Sequence, residues 1–193
     1  METALRERRR VQTAREIHVA AMELCQELGL EAVTTEAISS RAGISLRTFF
    51  NYFPNKEAAI VNRPPEFPRE AVRVFTEGGG TLLEDMRGLL IAQFIQIDAN
   101  RKLGRLFQAL LRDNPGLQSA HEASMRGLIA ELKAILATRL DPDTDHLADI
   151  LAVVVVCAIK KGLESWILDE DRSLSESIDE ILADLKQLGL VLR

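Results

Sequence analysis

The side chains best suited to chemistry lie between residues 34 and 57, and their chemistry is that of nucleic-acid contact. Residues 46–52 read Leu-Arg-Thr-Phe-Phe-Asn-Tyr. At helical spacing Phe49 and Phe53 pack inward while most of the other side chains face outward. Arg47 can bind a guanine edge or a phosphate, and Asn51 can bind an adenine edge or a phosphate. The pattern predicts a helix that reads the major groove of DNA.

The elements that position this helix form a helix-turn-helix. Apolar residues recur with helical period from Ile17 to Leu28 and predict a first helix that ends at Gly29. Two more helices and the start of a fourth follow within about thirty residues. The alternative to a DNA-binding motif is an ordinary three-helix corner, whose polar side chains face solvent and bind nothing. The predicted caps, turns and stops are Thr34 or Thr35, Gly43, Ser45, Pro54 and Asn55.

The chain resembles the tetracycline-repressor (TetR) family over about residues 10–61. The resemblance is carried by Gly29-Leu30 through Thr34-Thr35, by Ala42-Gly43-Ile44-Ser45, and by Thr48-Phe49-Phe50-Asn51-Tyr52-Phe53-Pro54-Asn55-Lys56-Glu57. It implies a homodimeric regulator with an N-terminal DNA-binding domain and a C-terminal ligand-binding domain. In such proteins an effector usually changes the spacing of the two DNA-binding domains and releases palindromic operator DNA.

Carried over by position, the resemblance also implies which residues contact DNA. Glu36 and Phe50 depart from the family pattern, because a carboxylate repels phosphate and phenylalanine lacks the hydroxyl of the usual tyrosine. Glu36 could instead accept from a cytosine amino group, and Phe50 could contact a thymine methyl. The predicted DNA-binding set is Thr35, Glu36, Ser45, Leu46, Arg47, Thr48, Phe50, Asn51, Tyr52 and Lys56.

Charge is distributed unevenly along the chain. The net charge is -5, yet residues 1–63 hold nine basic and eight acidic residues, a net charge of +1. Local basic surface matters more for phosphate binding than the total charge does. Arg6, Arg8, Arg9 and Arg10 form a basic run that is either a disordered arm entering the minor groove or a solvated flexible tail.

The predicted fold is all-α, with two functional regions. Prolines at 64, 65 and 68 and glycines at 78–80 separate a DNA-binding domain, residues 1–62, from an effector-binding and dimerisation domain, residues 63–193. Helices are predicted near 81–99, 101–112, 116–139, 143–169 and 173–190.

The last two helices are the predicted dimerisation elements. Helix 143–169 is apolar nearly all round in its middle, which predicts burial on more than one side. The resemblance implies that these helices pair with those of a second copy in a four-helix bundle. Trp166 is either an interface residue or ordinary core. The predicted interface residues are Trp166, Ile178, Leu182 and Leu185.

A small-molecule pocket is predicted among the helices that span residues 81–169. Polar residues within or beside apolar stripes can orient a ligand, although a histidine there can equally be a structural group. The apolar surroundings favour a mainly hydrophobic effector. The predicted ligand-binding residues are Gln93, Gln96, Arg105 and His121.

Other classes of function find little support in the sequence. The three histidines are far apart, and no phosphate-binding glycine loop follows a strand, so we predict no enzyme activity, no cofactor and no metal site. Two isolated cysteines, Cys25 and Cys157, predict a reducing cytoplasm and two buried, inert thiols, with a redox switch as the alternative. No apolar run is long enough for a membrane span.

Two rival functions stay open. One is a protein-interaction module that follows the DNA-binding domain and does not respond to an effector, and the other is activation of transcription in place of repression.

Overall fold

All regular secondary structure in the described part of the chain is helical. The computed structural model describes residues 2–95 and 100–191. The fold class predicted from the sequence is confirmed. The elements are α1 (Glu2–Leu28), a short 3-10 helix (Leu30–Ala32), α2 (Thr35–Arg41), α3 (Leu46–Tyr52), α4 (Lys56–Val61), α5 (Arg69–Glu77), α6 (Leu82–Ile95), α7 (Arg101–Asp113), α8 (Pro115–Ala137), α9 (Leu147–Leu168) and α10 (Leu174–Val191).

The chain forms two compact units. The first unit comprises Met1–Arg63 and Lys102–Ser124, and the second comprises Pro64–Arg101 and Met125–Arg193. The sequence placed one boundary after residue 62, whereas α7 and the first part of α8 pack with the N-terminal helices. Apolar side chains of α7 explain this, because Leu106, Phe107 and Leu110 pack against the core of the first unit.

The core of the first unit anchors the helix-turn-helix. Ile17 and Ala21 of α1, Ile38 of α2, Phe49 of α3 and Ile60 of α4 are all fully buried and belong to one apolar cluster. Burying each large apolar side chain contributes roughly 1.5–3 kcal/mol. These contacts hold α3 in place while leaving its opposite face exposed.

The N-terminal basic run lies in a helix, whereas the sequence predicts either a disordered arm or a flexible tail. Its backbone is helical and continues α1, which begins at Glu2. The side chains of Arg6, Arg9 and Arg10 are exposed. Among the α1 side chains that the structure describes, the first fully buried one is Ile17. The side chain of Arg8 lies outside the described part of the structure.

The second unit has its own apolar core, built from α5, α6, α8, α9 and α10. Its fully buried members include Phe75, Leu90, Leu136 and Val155. At Gly162 the helices α9 and α10 approach so closely that a Cβ atom would lie 2.7 Å from Ile181 Cγ1. The approach explains why a glycine occurs within an otherwise apolar helix.

One helix start in this unit differs from the sequence prediction. The predicted end of α6, at residue 99, stays untested, since α6 is described to Ile95 and residues 96–99 lie outside the described structure. α9 begins at Leu147 and not at residue 143. The intervening residues form turns, with Thr144 N donating to Asp141 O at 2.8 Å. Among the described residues, no helix combines the length and apolar character that crossing a bilayer requires.

Candidate nucleic-acid interface

The exposed face of α3 carries the side chains predicted to read DNA. Arg47, Phe50 and Asn51 are exposed, with Phe50 retaining 51% of its surface, and Leu46 lies beside them. Phe49 is fully buried on the opposite side and meets the Phe50 ring edge to face, 5.4 Å between centroids. The inward packing of Phe49 and Phe53 is confirmed. An anchored helix with a free guanidinium, an amide and apolar side chains on one face matches what a major groove accepts.

Side-chain caps fix where the three short helices begin. Thr34 Oγ1 accepts from Ala37 N at 3.1 Å, Ser45 Oγ accepts from Thr48 N at 3.0 Å, and Asn55 Oδ1 accepts from Ala58 N at 2.8 Å. The predicted caps at Ser45 and Asn55 are confirmed, and Thr34 is the cap of α2. Each such cap contributes about 1 kcal/mol and sets the start of its helix.

The turn between α2 and α3 depends on one glycine. Gly43 has φ of +67°, a conformation that other residues adopt only with strain. The backbone N–H of Gly43 donates to Ser40 O at 3.2 Å, and that of Ile44 donates to Ser39 O at 3.0 Å. The turn therefore sets the direction in which α3 leaves α2.

Thr48 and Tyr52 are half-buried members of the predicted set. The hydroxyls of Thr48 and Ser45 lie 2.8 Å apart and share a hydrogen bond. A hydroxyl can donate one hydrogen bond and accept two, so Thr48 can still reach a phosphate oxygen. Tyr52 packs partly against the first unit's core.

Glu36 places a negative charge at the start of α2. The Oγ1 of Thr35 donates to Glu36 Oε2 at 3.2 Å. A hydrogen bond from its own backbone N–H, followed by the hydroxyl of Thr35, holds the pKa of the Glu36 carboxyl below its usual range. The ionised carboxylate also suits the positive end of the helix dipole. The Glu36 carboxylate therefore occupies the N-terminal end of α2, and its negative charge would repel a DNA phosphate at that position.

The side chain of Lys56 makes hydrogen bonds to the backbone of its own unit. Its ammonium donates to Leu30 O at 2.9 Å and to Val33 O at 3.0 Å. These carbonyls belong to the 3-10 helix and to the residue that follows it. The sequence predicts that Lys56 contacts a DNA phosphate, and at most the third N–H of its ammonium is available for that role. Its two contacts position the 3-10 helix against the start of α4.

The four residues predicted to bind a ligand are divided between the units. Gln93 lies in the second unit, where it is 5% exposed and its amide donates to Pro65 O at 2.6 Å. Arg105 and His121 lie in the first unit, with Arg105 exposed and the His121 ring edge-to-face with Phe107 at 5.5 Å. Gln96 lies outside the described residues. The ligand-binding role of these residues stays a prediction.

The residues predicted to form a dimer interface pack within the second unit. Trp166, Ile178 and Leu182 are buried there, and Leu185 is partly buried against the same core. Trp166, Ile178 and Leu182 are at most 8% exposed, and the interface role of the four residues stays a prediction. Four of the exposed apolar residues of α9 form a stripe at helical spacing, which we call the outer α9 face: Leu147, Ile150, Val153 and Cys157.

The two cysteines differ in accessibility, contrary to the prediction that both are buried. Cys25 is buried in the first unit, and burial raises the pKa of its thiol to about 11 despite the nearby charge of Lys56. Cys157 is exposed. The sequence could not separate the two faces of α9, because the apolar residues run almost all round this helix. Among the described residues, no three His, Cys, Asp or Glu side chains form a group able to hold a metal ion.

The capped helices, the glycine turn and the exposed face of α3 define a helix-turn-helix DNA-binding protein. The family model described as bacterial regulatory proteins, tetR family, matches residues 17–60. The model of the MftR C-terminal domain matches residues 81–188, more than half of the chain. The chain belongs to the tetR family of bacterial regulatory proteins.

Solved structures share the fold over most of the chain. FadR of Thermus thermophilus, a TetR-family transcriptional repressor in complex with lauroyl-CoA, is 24% identical, with 88% of this chain and 91% of that chain covered and a TM-score of 0.53. The SmeT–triclosan complex is 22% identical, with coverage of 90% and 91% and a TM-score of 0.55. SmeT, the repressor of the Stenotrophomonas maltophilia multidrug efflux pump SmeDEF, is 23% identical, with 89% of each chain covered and a TM-score of 0.51. No curated protein sequence matches the chain.

Proposed function

We propose that this tetR-family regulator is a ligand-responsive repressor that binds a palindromic operator as a homodimer. The observation that carries the proposal is the exposed face of α3, where Arg47, Phe50 and Asn51 project from a helix whose other side is fully buried. Each base contact made by such a side chain discriminates by roughly 1–3 kcal/mol. One α3 reads only a few base pairs, so a second copy is needed to specify a site.

The outer α9 face is the surface we assign to the second copy. Ile150 retains 61% of its surface, and Leu147 and Val153 retain 42% each. A contiguous apolar stripe of this kind is costly in water and is usually covered by a partner. Self-association through one face of a helix also gives the twofold symmetry that a palindrome demands. Trp166, Ile178, Leu182 and Leu185 then support this face from within the subunit.

The effector we propose is a small, mainly hydrophobic molecule. The solved structures of similar fold include complexes with lauroyl-CoA and with triclosan, both of which contain substantial apolar groups. The partly buried residues Met125, Leu128 and Ile129 of α8 line the apolar core of the second unit and offer matching surface. Under the alternative, the C-terminal helices bind a protein and ignore small molecules. Operator position decides between repression and activation.

Selection of DNA from a random duplex pool by the purified full-length chain tests the DNA-binding part of the proposal. We expect enrichment of a palindrome whose half-sites lie about one DNA turn, roughly 34 Å, apart. Arg47→Ala should weaken binding by about 1–3 kcal/mol and relax the preference at one base pair of each half-site. A pool without sequence enrichment, or an unchanged preference in Arg47→Ala, would contradict the assignment of α3.

The ligand-responsive part requires a separate measurement. Operator complexes titrated with lauroyl-CoA, lauric acid and triclosan should dissociate with at least one of these apolar probes, while acetate should have no effect. An operator complex that is unaffected by every apolar probe favours the effector-blind alternative. The cytoplasmic location predicted from the cysteines stays a prediction.

A further inference from the structure

Phe50 is the only exposed aromatic side chain among the residues that the structure describes. It retains 51% of its surface, whereas the other six phenylalanines, the tyrosine and the tryptophan are buried or half-buried. Burial of an aromatic ring contributes more to stability than burial of most other side chains, and Phe50 forgoes much of that contribution. Leu46, one helical turn earlier, is also exposed, with 36% of its surface retained.

The exposed side chains of α3 form two adjacent rows, because residues four apart lie above one another on a helix. Leu46 and Phe50 make an apolar row, and Arg47 and Asn51 make a polar row beside it. The polar row can form hydrogen bonds with a guanine edge and an adenine edge. The apolar row has no hydrogen-bonding side-chain group, so it must recognise a different feature of the DNA.

The ring of Phe50 packs against a buried support. It lies at 89° to the ring of Phe49, with 5.4 Å between the centroids, and Phe49 is fully buried in the core of the first unit. A ring that is already positioned in the free protein loses little conformational entropy when a partner covers it. The exposed part of Phe50 is therefore a preformed apolar surface on the face of α3 that carries Arg47 and Asn51.

The major groove presents one apolar group, the C5-methyl of thymine. The groove edges of adenine, guanine and cytosine are distinguished by hydrogen-bond donors and acceptors instead. A tyrosine hydroxyl at position 50 could bind a phosphate, whereas the phenylalanine ring has no polar atom. Apolar contact with a methyl group is the base-specific interaction that the ring can make.

We propose that Phe50 is a specificity-determining residue that reads the methyl group of one thymine in each half-site of the operator. The inference rests on the proposed function, because it requires a selected operator. Arg47 and Asn51 distinguish base pairs by hydrogen bonds, and Phe50 distinguishes a neighbouring base pair by apolar contact. Loss of the methyl group then weakens binding even when every hydrogen-bonding group of the DNA is unchanged.

Deoxyuridine supplies the test, because it differs from thymidine only in the missing C5-methyl group. Each thymine of the selected half-site is replaced in turn by deoxyuridine, at the same position of both half-sites. Anisotropy at fixed salt measures the Kd of the full-length wild-type chain for every duplex. This titration uses no protein variant, so a folding defect cannot explain its result.

Two variants assign the methyl preference to a side chain. Phe50→Ala removes the exposed ring, and Asn51→Ala is the matched control, since Asn51 is the next residue, is also exposed and belongs to the polar row. Both variants are titrated with the same duplexes, and urea unfolding checks that they are folded. The comparison is a double-mutant cycle between one side chain and one methyl group.

We expect one thymine position at which deoxyuridine raises the wild-type Kd by about fourfold for each methyl group lost, or about fifteenfold for both half-sites. At that position Phe50→Ala should bind the thymine and deoxyuridine duplexes equally. Asn51→Ala should bind both duplexes more weakly and keep the full preference for the methyl group.

Several results would overturn the inference. One is a selected half-site without thymine, and another is equal binding of thymine and deoxyuridine by the wild type at every position. Methyl preferences that all survive in Phe50→Ala would assign the reading to another group, and loss of the preference in Asn51→Ala as well would show that the effect is not specific to the ring. A wild-type chain that selects no operator is a different failure and removes the proposed function itself.

Discussion

Replacement of Lys56 tests whether this side chain positions the helix-turn-helix or binds a phosphate. The Lys56→Met variant keeps most of the alkyl stem and removes the ammonium that donates to Leu30 O and Val33 O. A hydrogen bond from a charged donor contributes about 1.5–3 kcal/mol when buried. Lys56 is only half-buried, and water can replace part of both contacts. We therefore expect the free energy of unfolding to fall by about 2–3 kcal/mol.

The salt dependence of operator binding separates the two roles. Each phosphate contact contributes about 0.9 to the slope of log K against log salt concentration. As a positioning residue, Lys56 leaves that slope unchanged while the affinity falls at every salt concentration. Urea unfolding and anisotropy titrations at several salt concentrations measure both quantities.

Lys102→Met is the matched control for this prediction. Lys102 lies in the same unit and is exposed, so its replacement removes the same charge without loss of a buried contact. Its free energy of unfolding should stay within about 0.5 kcal/mol of wild type. The positioning role is refuted if Lys56→Met keeps wild-type stability and its salt slope falls by about 0.9.

Three further variants test the charge distribution and the assembly. Glu36→Gln removes the carboxylate at the start of α2 and should tighten binding by up to about fivefold on specific and unrelated duplexes alike, as measured by anisotropy. The triple variant Arg6→Gln, Arg9→Gln, Arg10→Gln should lower the salt slope by up to about 2.7 if the first turns of α1 lie on phosphates, with the half-site sequence preference unchanged in selected pools. Ile150→Glu places a charge on the outer α9 face and should give monomers of 21.5 kDa by sedimentation.

Controls for these variants come from the same chain. Val74 is an exposed apolar residue of α5, so Val74→Glu should remain dimeric. Cys157 lies on the outer α9 face, and iodoacetamide should modify it in Ile150→Glu and spare it in the wild-type dimer, while Cys25 stays unmodified in both. An Ile150→Glu variant that remains dimeric places the interface elsewhere. An unchanged salt slope in the triple arginine variant would exclude phosphate contacts by Arg6, Arg9 and Arg10. An unchanged affinity in Glu36→Gln would show that the Glu36 carboxylate does not repel the bound DNA.

Local signals in the sequence predicted most of the helix-turn-helix. A capping residue acts on backbone N–H groups two or three positions away, so Ser45 and Asn55 could be identified from their neighbours alone. The inward packing of Phe49 and Phe53 follows from helical spacing in the same way. The turn at Gly43 needs a positive φ, which the glycine itself indicates.

Contacts between distant segments could not be predicted in the same manner. Lys56 bonds carbonyls 26 and 23 residues earlier in the chain, and no local pattern distinguishes this role from a phosphate contact. The guanidinium of Arg101 donates to carbonyls 65–71 positions later in the chain. Which face of α9 is exposed could not be predicted for another reason. Apolar residues lie on both faces of this helix, so the hydrophobic pattern does not distinguish Val155, which is buried, from Val153, which is exposed.

Competitive anisotropy with the selected palindrome and a scrambled duplex of equal length measures sequence-specific DNA binding directly. Full-length wild-type protein is titrated at fixed physiological salt, and the stoichiometry is determined at saturating concentration. We expect one dimer per palindrome and a specific complex at least about a thousandfold tighter than the scrambled one. Equal affinity for both duplexes, with both complexes lost steeply as salt rises, would leave only phosphate attraction and would contradict sequence-specific regulation.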